Sequence, residues 1–344
     1  MTLEAVPLTS VATSVPAAEA PARGSFSCIR ASRRLRLVPK YGEGEREVEV
    51  RYLWTGTPGA PTIVVQGGIS ADRQVCRTPD AEGEGWWDAL VGAGRAVDLD
   101  RVRVLSIDWI SASELGTGSV STEDQADIIA ALLDALRIGR ARAFVGSSYG
   151  AMTALAFAAR HAHRLDRLVL LAGAHRPHPL ATAQRSVQRG ILRLGMEHGC
   201  PEAATSLARQ LAMTTYRGSH EFAQRFSGEA EFRDGRYRLP VEAYLEHAGR
   251  KFVDRFDPER YLSLSESIDL HRVDPAAVRT PGVLIGFATD RLVPLGDLCE
   301  LQQRLGAPAS LEVVDSLYGH DGFLKETTAL SPLLRAALAD DDTR

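Results

Sequence analysis

The sequence has few features of a disulfide-linked, metal-binding or membrane protein. Its 344 residues include only four cysteines, which are far apart and form no C-x-x-C pair, and no histidine is spaced from them as a zinc ligand would be. No run of about 18 apolar residues is present, so the sequence predicts no membrane-spanning helix. No basic segment followed by an apolar block resembles a secretory signal. We therefore expect reduced thiols, no bound metal and a cytoplasmic location.

The sequence also lacks a large excess of positive or negative charge. The chain has 40 lysines and arginines against 44 aspartates and glutamates, a formal net charge of −4, with no long single-sign block. This balance argues against nucleic acid as a partner. With 44% hydrophobic and 24% charged residues, the composition is that of an ordinary globular protein. The length is compatible with two domains or with one α/β domain that contains an insertion.

Short apolar runs alternate with helical segments along most of the chain. Residues 1–24 are rich in Ala, Pro, Ser and Thr without periodicity, and we expect them to form a disordered tail. Several later runs are apolar at consecutive positions, which is typical of parallel strands covered on both faces. The predicted strands are 48–54, 62–66, 102–107, 143–145, 168–172, 283–287 and 311–314. This alternation predicts an α/β fold with a mostly parallel sheet.

The alternation stops in the second half of the chain. Residues 177–273 show helical periodicity and almost no strand signal, and strand character resumes at Val283. We therefore predict an α/β core formed by residues 25–176 and 274–344, with an all-helical cap inserted at 177–273. Such a cap would cover the carboxyl ends of the strands, where ligands bind in open α/β sheets.

The segment Ala143–Met152 contains the sharpest local motif. Gly146-x-Ser148-x-Gly150 joins an apolar strand to an alanine-rich helix, the context in which such a serine acts as a nucleophile. Glycines at these positions allow the strand and helix to approach each other, while the tight turn projects the serine hydroxyl outward. A simple turn with a solvent-exposed serine is the alternative, but the strand-turn-helix context favours Ser148 as the nucleophile.

A nucleophilic serine needs a base and a carboxylate, which follow it in this type of fold in the order acid, then histidine. Asp290 comes directly after the predicted strand 283–287, and His320 follows the next strand. Each alone could be an ordinary loop residue. Their type, order and position after strands together predict that His320 accepts the Ser148 proton and that Asp290 orients the imidazole.

When the serine attacks a substrate carbonyl, the negative charge that develops on the carbonyl oxygen must be stabilised by N–H donors. The Tyr149 amide opens the helix after Ser148 and is one candidate. A second donor is expected from the loop after strand 62–66, where we favour the Gly68 amide over those of Gly67 and Ile69. A purely structural Gly-Gly turn is the alternative there.

The order of the motifs resembles the homoserine O-acyltransferases of methionine biosynthesis, in the α/β-hydrolase superfamily. The resemblance extends from about residue 45 to the C-terminus. Its most specific segments are 85–98, 143–152, 212–217, 244–257 and 319–324. It implies an α/β-hydrolase fold and a homodimer formed through the helical cap. It also implies a ping-pong reaction in which Ser148 is acylated by acyl-CoA and then transfers the acyl group to the hydroxyl of L-homoserine.

The resemblance also implies two residues that bind the acceptor and no bound cofactor beyond the acyl-CoA co-substrate. Asp321 would bind the amino group of homoserine and Arg217 its carboxylate; a turn residue and a surface ion pair are the alternatives. The Gln66-Gly67-Gly68 loop looks like the succinyl-transferring branch, so we favour succinyl-CoA as the donor. Acetyl transfer, serine as acceptor, a CoA-independent esterase and an inactive ligand-binding scaffold are the alternatives.

Overall fold

A computed structural model describes residues 27–80 and 83–339. The tail expected at residues 1–24 lies outside them, and no helix within them is long and apolar enough to cross a membrane. The strands are β1 (Ser27–Leu37), β2 (Arg46–Gly56), β3 (Thr62–Gln66), β4 (Val91–Gly92), β5 (Val97–Asp98), β6 (Arg103–Ile107), β7 (Ala143–Ser147), β8 (Leu168–Leu171), β9 (Glu231–Arg233), β10 (Arg236–Arg238), β11 (Gly282–Phe287) and β12 (Ala309–Val314). The α-helices are α1 (Ala112–Leu115), α2 (Thr122–Ala135), α3 (Tyr149–Arg160), α4 (Pro179–Glu197), α5 (Pro201–Tyr216), α6 (Ser219–Arg225), α7 (Pro240–Val253), α8 (Pro258–Leu270), α9 (Leu295–Arg304), α10 (Gly322–Lys325) and α11 (Thr327–Leu338).

Eight of the described strands form one sheet in the order β1-β2-β6-β3-β7-β8-β11-β12. β1 and β2 are antiparallel to their neighbours, and the strands from β6 to β12 pair in parallel. β3 shows why the apolar runs are continuous: Val64 belongs to the core cluster on one face, while Ile63 and Val65 belong to the cluster on the other. Helices cover both faces, which confirms the predicted α/β fold with a mostly parallel sheet.

The strand at the antiparallel edge was not predicted. β1 pairs with β2 over its full length, from Ser27 opposite Gly56 to Leu37 opposite Arg46. Its four arginines obscure the apolar pattern that marks the other strands. Charged side chains on an edge strand are physically reasonable, because they oppose pairing of the exposed edge with another chain.

The helical insertion leaves and rejoins the sheet between two adjacent strands. β8 precedes the insertion and β11 follows it, and the two strands pair in parallel. The Val273 N–H donates to the carbonyl oxygen of His175 at 3.0 Å, so the two connecting segments meet at the base of the insertion. Helices α4 to α8 lie between these segments. The domain boundaries at 177 and 273 stay a prediction.

The expectation that the insertion is all-helical is wrong at one place. β9 and β10 form a two-stranded antiparallel hairpin between α6 and α7. Asp234 and Gly235 connect the strands with φ values of 53° and 77°. An Asp-Gly pair with both φ values positive is typical of a two-residue hairpin turn, and this local signal outweighs the surrounding helical pattern.

Candidate functional site

Ser148 lies in the tight turn between β7 and α3. Its φ and ψ angles are 54° and −116°, a conformation that is strained for a residue with a side chain. A Cβ atom on Gly146 would lie 2.3 Å from the Gly150 carbonyl oxygen, and one on Gly150 would lie 2.2 Å from that of Gln66. Close packing of strand, helix and the β3 loop therefore requires glycine at both flanking positions.

Two short hydrogen bonds connect the three residues predicted to form a triad. Nε2 of His320 lies 2.8 Å from Oγ of Ser148, and Nδ1 lies 2.8 Å from Oδ2 of Asp290. Oδ1 of Asp290 accepts the backbone N–H groups of Leu292 and Val293 at 2.8 and 3.1 Å. Because a carboxylate only accepts hydrogen bonds, Nδ1 carries the proton and Nε2 is free to accept one from Ser148. We call Ser148, His320 and Asp290 the relay.

The surroundings of His320 tune its basicity. Burial lowers its pKa, but the Asp290 carboxylate, through its charge and hydrogen bond, raises the pKa above the ordinary value. The Tyr216 ring stacks on the imidazole with centroids 6.1 Å apart, and Phe323 contacts it edge-on at 5.7 Å. A buried base with a raised pKa, held between aromatic rings, is suited to accept and return one proton.

The backbone of the β3 loop passes close to the nucleophile. A Cβ atom on Gly68 would lie 3.9 Å from Ser148 Oγ, and the Gly68 carbonyl oxygen accepts the indole N–H of Trp109 at 3.0 Å. Within the described residues, neither the Gly68 N–H nor the Tyr149 N–H donates to the protein. The two amides predicted to form an oxyanion hole are therefore near Ser148 and available to a ligand.

The two residues predicted to bind the acceptor contact each other. Nε of Arg217 lies 3.1 Å from Oδ2 of Asp321, but its N–H is not aligned as a hydrogen bond, and Nη1 donates to Glu221 at 3.2 Å. Burial raises the pKa of Asp321, against the opposing effect of Arg217. Asp321 lines the cavity with His320, whereas Arg217 does not line it.

The relay opens into a cavity of about 250 Å³ between the sheet and the insertion. Ser148, Gly68, Trp86 and His320 line it from the core side. Helices of the insertion contribute polar side chains that the sequence analysis missed: Gln184, Arg185, Gln188, Arg209 and Ser265. They follow no strand and belong to no motif, so only the packing of the insertion reveals them. In the described part of the chain, no cluster of three His, Cys, Asp or Glu side chains forms a metal site.

Comparison with known proteins identifies the family. Residues 61–327 match the α/β hydrolase fold family. A homoserine O-succinyltransferase of Xanthomonas campestris is 46% identical over 97% of this chain and 89% of the relative. An L-serine/homoserine O-acetyltransferase of Streptomyces lavendulae is 33% identical over 80% of this chain and 87% of the relative.

A solved structure of the esterase E22 superposes with a TM-score of 0.80 at 18% identity, covering 91% of this chain and all of the esterase, which shows a shared fold. The fold alone is therefore common to proteins that transfer acyl groups and proteins that hydrolyse esters. Sequence similarity over nearly the full chain is the more specific finding. The chain belongs to the homoserine O-acyltransferase family of the α/β-hydrolase superfamily.

Proposed function

We propose that this protein transfers a succinyl group from succinyl-CoA to the hydroxyl of L-homoserine through an acyl-Ser148 intermediate, a reaction of methionine biosynthesis. The observation that carries the chemistry is the relay, in which hydrogen bonds of 2.8 Å connect serine, imidazole and carboxylate. The similarity to a homoserine O-succinyltransferase over 97% of the chain supports the choice of donor and acceptor.

In the first half-reaction, Ser148 Oγ attacks the thioester carbonyl carbon while His320 Nε2 takes its proton. The amides of Gly68 and Tyr149 stabilise the oxyanion that forms. The carbon–sulfur bond then breaks, and His320 returns the proton to the leaving CoA thiolate. Asp290 keeps the imidazole in the required tautomer and stabilises its protonated form. CoA leaves and the succinyl group stays as an ester on Ser148.

In the second half-reaction, the homoserine hydroxyl attacks the ester while His320 removes its proton. Collapse of the intermediate releases O-succinylhomoserine, and the proton returns to Ser148. We propose that Asp321, which lines the cavity with His320, binds the acceptor amino group. We propose that Arg217 binds the acceptor carboxylate through Nε, which has no hydrogen-bond partner among the described residues. Because Arg217 does not line the cavity, this contact requires its side chain to move.

Hydrolysis competes with transfer whenever water reaches the acyl-enzyme. Asp290 and His320 are each only 6% exposed, and the insertion contributes residues to the cavity above them. We propose that the segment 177–273 acts as a cap that encloses the substrates and limits water. This shielding distinguishes a transferase from an esterase with the same relay.

An exposed apolar stripe on α4 supports the proposed homodimer. Leu180, Val187 and Leu194 recur every seven residues and are 49%, 57% and 60% exposed, and Leu207 on α5 is 52% exposed. Exposed apolar residues at heptad spacing along one helix are typical of helix pairing, and a second copy of the same helix fits this spacing. Light scattering on the purified protein tests this, since a monomeric mass at micromolar concentration contradicts the proposal.

The decisive experiment supplies acetyl-CoA or succinyl-CoA with either homoserine or serine to the purified protein. Release of CoA thiol is followed together with the mass of the acylated product, and Ser148→Ala is the control. We expect the highest kcat/KM with succinyl-CoA and homoserine and almost none with Ser148→Ala. A higher value with acetyl-CoA would assign the acetyl donor instead. Thiol release without acylated amino acid would identify an esterase.

A further inference from the structure

Two arginines share one carboxylate at the cavity. Arg185 donates to Oδ1 of Asp269 from Nε and Nη2 at 2.9 and 2.6 Å, and Arg189 donates to Oδ2 from Nη1 at 2.6 Å. The side chains of Arg185, Arg189 and Asp269 are 12%, 9% and 9% exposed. This cluster therefore carries one surplus positive charge in a largely buried place. A buried charge without a counter-ion is costly, so the cluster favours binding of an anion.

Arg185 is the member of the cluster that lines the cavity with Ser148 and His320. Its Nε and Nη2 groups are fixed by Asp269, while no described residue accepts a hydrogen bond from its Nη1. Nη1 of Arg189, in contrast, also donates to Ser265, at 3.0 Å to the hydroxyl and 3.1 Å to the carbonyl oxygen. The guanidinium of Arg185 is thus held in place while its Nη1 group stays available to donate hydrogen bonds, an arrangement suited to bind a carboxylate.

The other cations of the cavity are less suited to this task. Arg176 is bonded to Glu300. The guanidinium of Arg209 already packs on the rings of Tyr216 and Phe252, at 5.2 and 4.6 Å from their centroids. Arg255 is exposed. An ion pair with a substrate is strongest where the cation is little exposed and held in place, and Arg185, 12% exposed and anchored by Asp269, meets both conditions.

We propose that Arg185 binds the terminal carboxylate of a dicarboxylic acyl group attached to Ser148, and so determines which acyl donor the protein accepts. The inference rests on the proposed function and extends it to one residue. A succinyl group brings the single negative charge that neutralises the cluster, whereas an acetyl group leaves the surplus charge unpaired. Besides burial, the charge of Arg185 is among the influences that lower the pKa of His320, so the guanidinium is within electrostatic reach of the relay.

The test is donor selectivity in Arg185→Gln, measured in the first half-reaction alone. Without Arg185, Asp269 keeps its pair with Arg189, so the variant is expected to fold. Arg193→Gln, at an exposed position on the same helix, is the matched control. Rapid mixing with each CoA ester, without acceptor, gives the second-order rate constant for acylation. We expect Arg185→Gln to lose about 30-fold with succinyl-CoA and less than about threefold with acetyl-CoA. Arg185→Lys is expected to retain part of the succinyl preference.

Three outcomes would overturn the role of Arg185: unchanged acylation by succinyl-CoA, an equal loss with both donors, or a loss confined to the KM for homoserine. The last would place Arg185 at the acceptor carboxylate. If Arg185→Gln has no cooperative thermal transition, Arg185→Lys is used instead, and the measured quantity is the ratio of the acylation rate constants with succinyl-CoA and acetyl-CoA. A ratio equal to that of the wild type contradicts the proposal. Wild-type protein that forms no acyl-enzyme from succinyl-CoA would overturn the proposed function as well, so the two failures are distinguishable.

Discussion

Replacing Asp290 with asparagine exchanges one oxygen of the relay for an NH₂ group and reverses the direction of one hydrogen bond. In the wild type, Oδ2 accepts the Nδ1 proton of His320 over 2.8 Å. In Asp290→Asn, Oδ1 still accepts the N–H groups of Leu292 and Val293, so the new amide nitrogen faces the imidazole. An amide nitrogen only donates, which forces the proton of His320 onto Nε2, where it can no longer accept one from Ser148.

The size of the effect follows from this change of tautomer. The same substitution in serine proteases lowers turnover about 10⁴-fold, equivalent to about 5 kcal/mol of transition-state stabilisation. We expect a comparable loss here, because the contacts that orient the carboxylate are of the same kind. The number of hydrogen bonds is unchanged, so the variant is expected to fold and to keep a cooperative thermal transition.

The assay is acylation of Ser148 by succinyl-CoA, followed as thiol release and by the intact mass of the protein. Asp315→Asn is a matched control, because Asp315 is an exposed carboxylate at the end of β12. We expect Asp315→Asn to behave as wild type. If folded Asp290→Asn keeps more than about a tenth of the wild-type rate, the tautomer argument is refuted.

Three further predictions concern pH and packing. The rate of Ser148 acylation is expected to fall as the pH is lowered, with a midpoint above the ordinary imidazole pKa, because His320 must be neutral to accept a proton and its pKa is raised. A midpoint below the ordinary value in a stopped-flow pH series would contradict the effect of the Asp290 carboxylate on His320. Gly150→Ala is expected to lower the free energy of unfolding by about 3 kcal/mol, because its Cβ would lie 2.2 Å from the Gln66 carbonyl oxygen. Gly190→Ala, with nothing within 4 Å, is expected to be neutral or stabilising by up to about 1 kcal/mol, and equal urea midpoints for the two variants would rule out the clash. Burial lowers the pKa of His271 to about 3. Below the ordinary histidine pKa, this residue therefore binds a proton in the unfolded chain but stays neutral in the folded chain. The contribution of His271 to the free energy of unfolding is expected to drop by about 2 kcal/mol between pH 7 and pH 5. If the free energy of unfolding of His271→Gln depends on pH as steeply as that of the wild type, this prediction is wrong.

The relay residues were predictable because each depends on a local signal. Ser148 has its glycine spacing between a strand and a helix, and Asp290 and His320 each follow an apolar run. The strand bounds Thr62–Gln66 agree with the prediction to the residue. Strands buried on both faces are recognisable from sequence because their composition reflects burial alone.

Features that depend on contacts between distant segments were not predictable. Arg185 and Asp269 are 84 residues apart, and no spacing rule relates their charges. The contact between Arg217 and Asp321 likewise arises only when α5 packs near the His320 loop. The hairpin at Asp234 is different, because Asp234-Gly235 is a local turn signal in the sequence, but a prediction based on the helical periodicity around it gives that signal too little weight.

The position of the insertion between β8 and β11 has a consequence for protein synthesis. Translation produces Ser148 first, then the insertion, and Asp290 and His320 only after it. A chain that stops before Asp290 and His320 holds Ser148 without its base. The chain therefore holds all three relay groups only once the segment that follows β12 and carries His320 has been made.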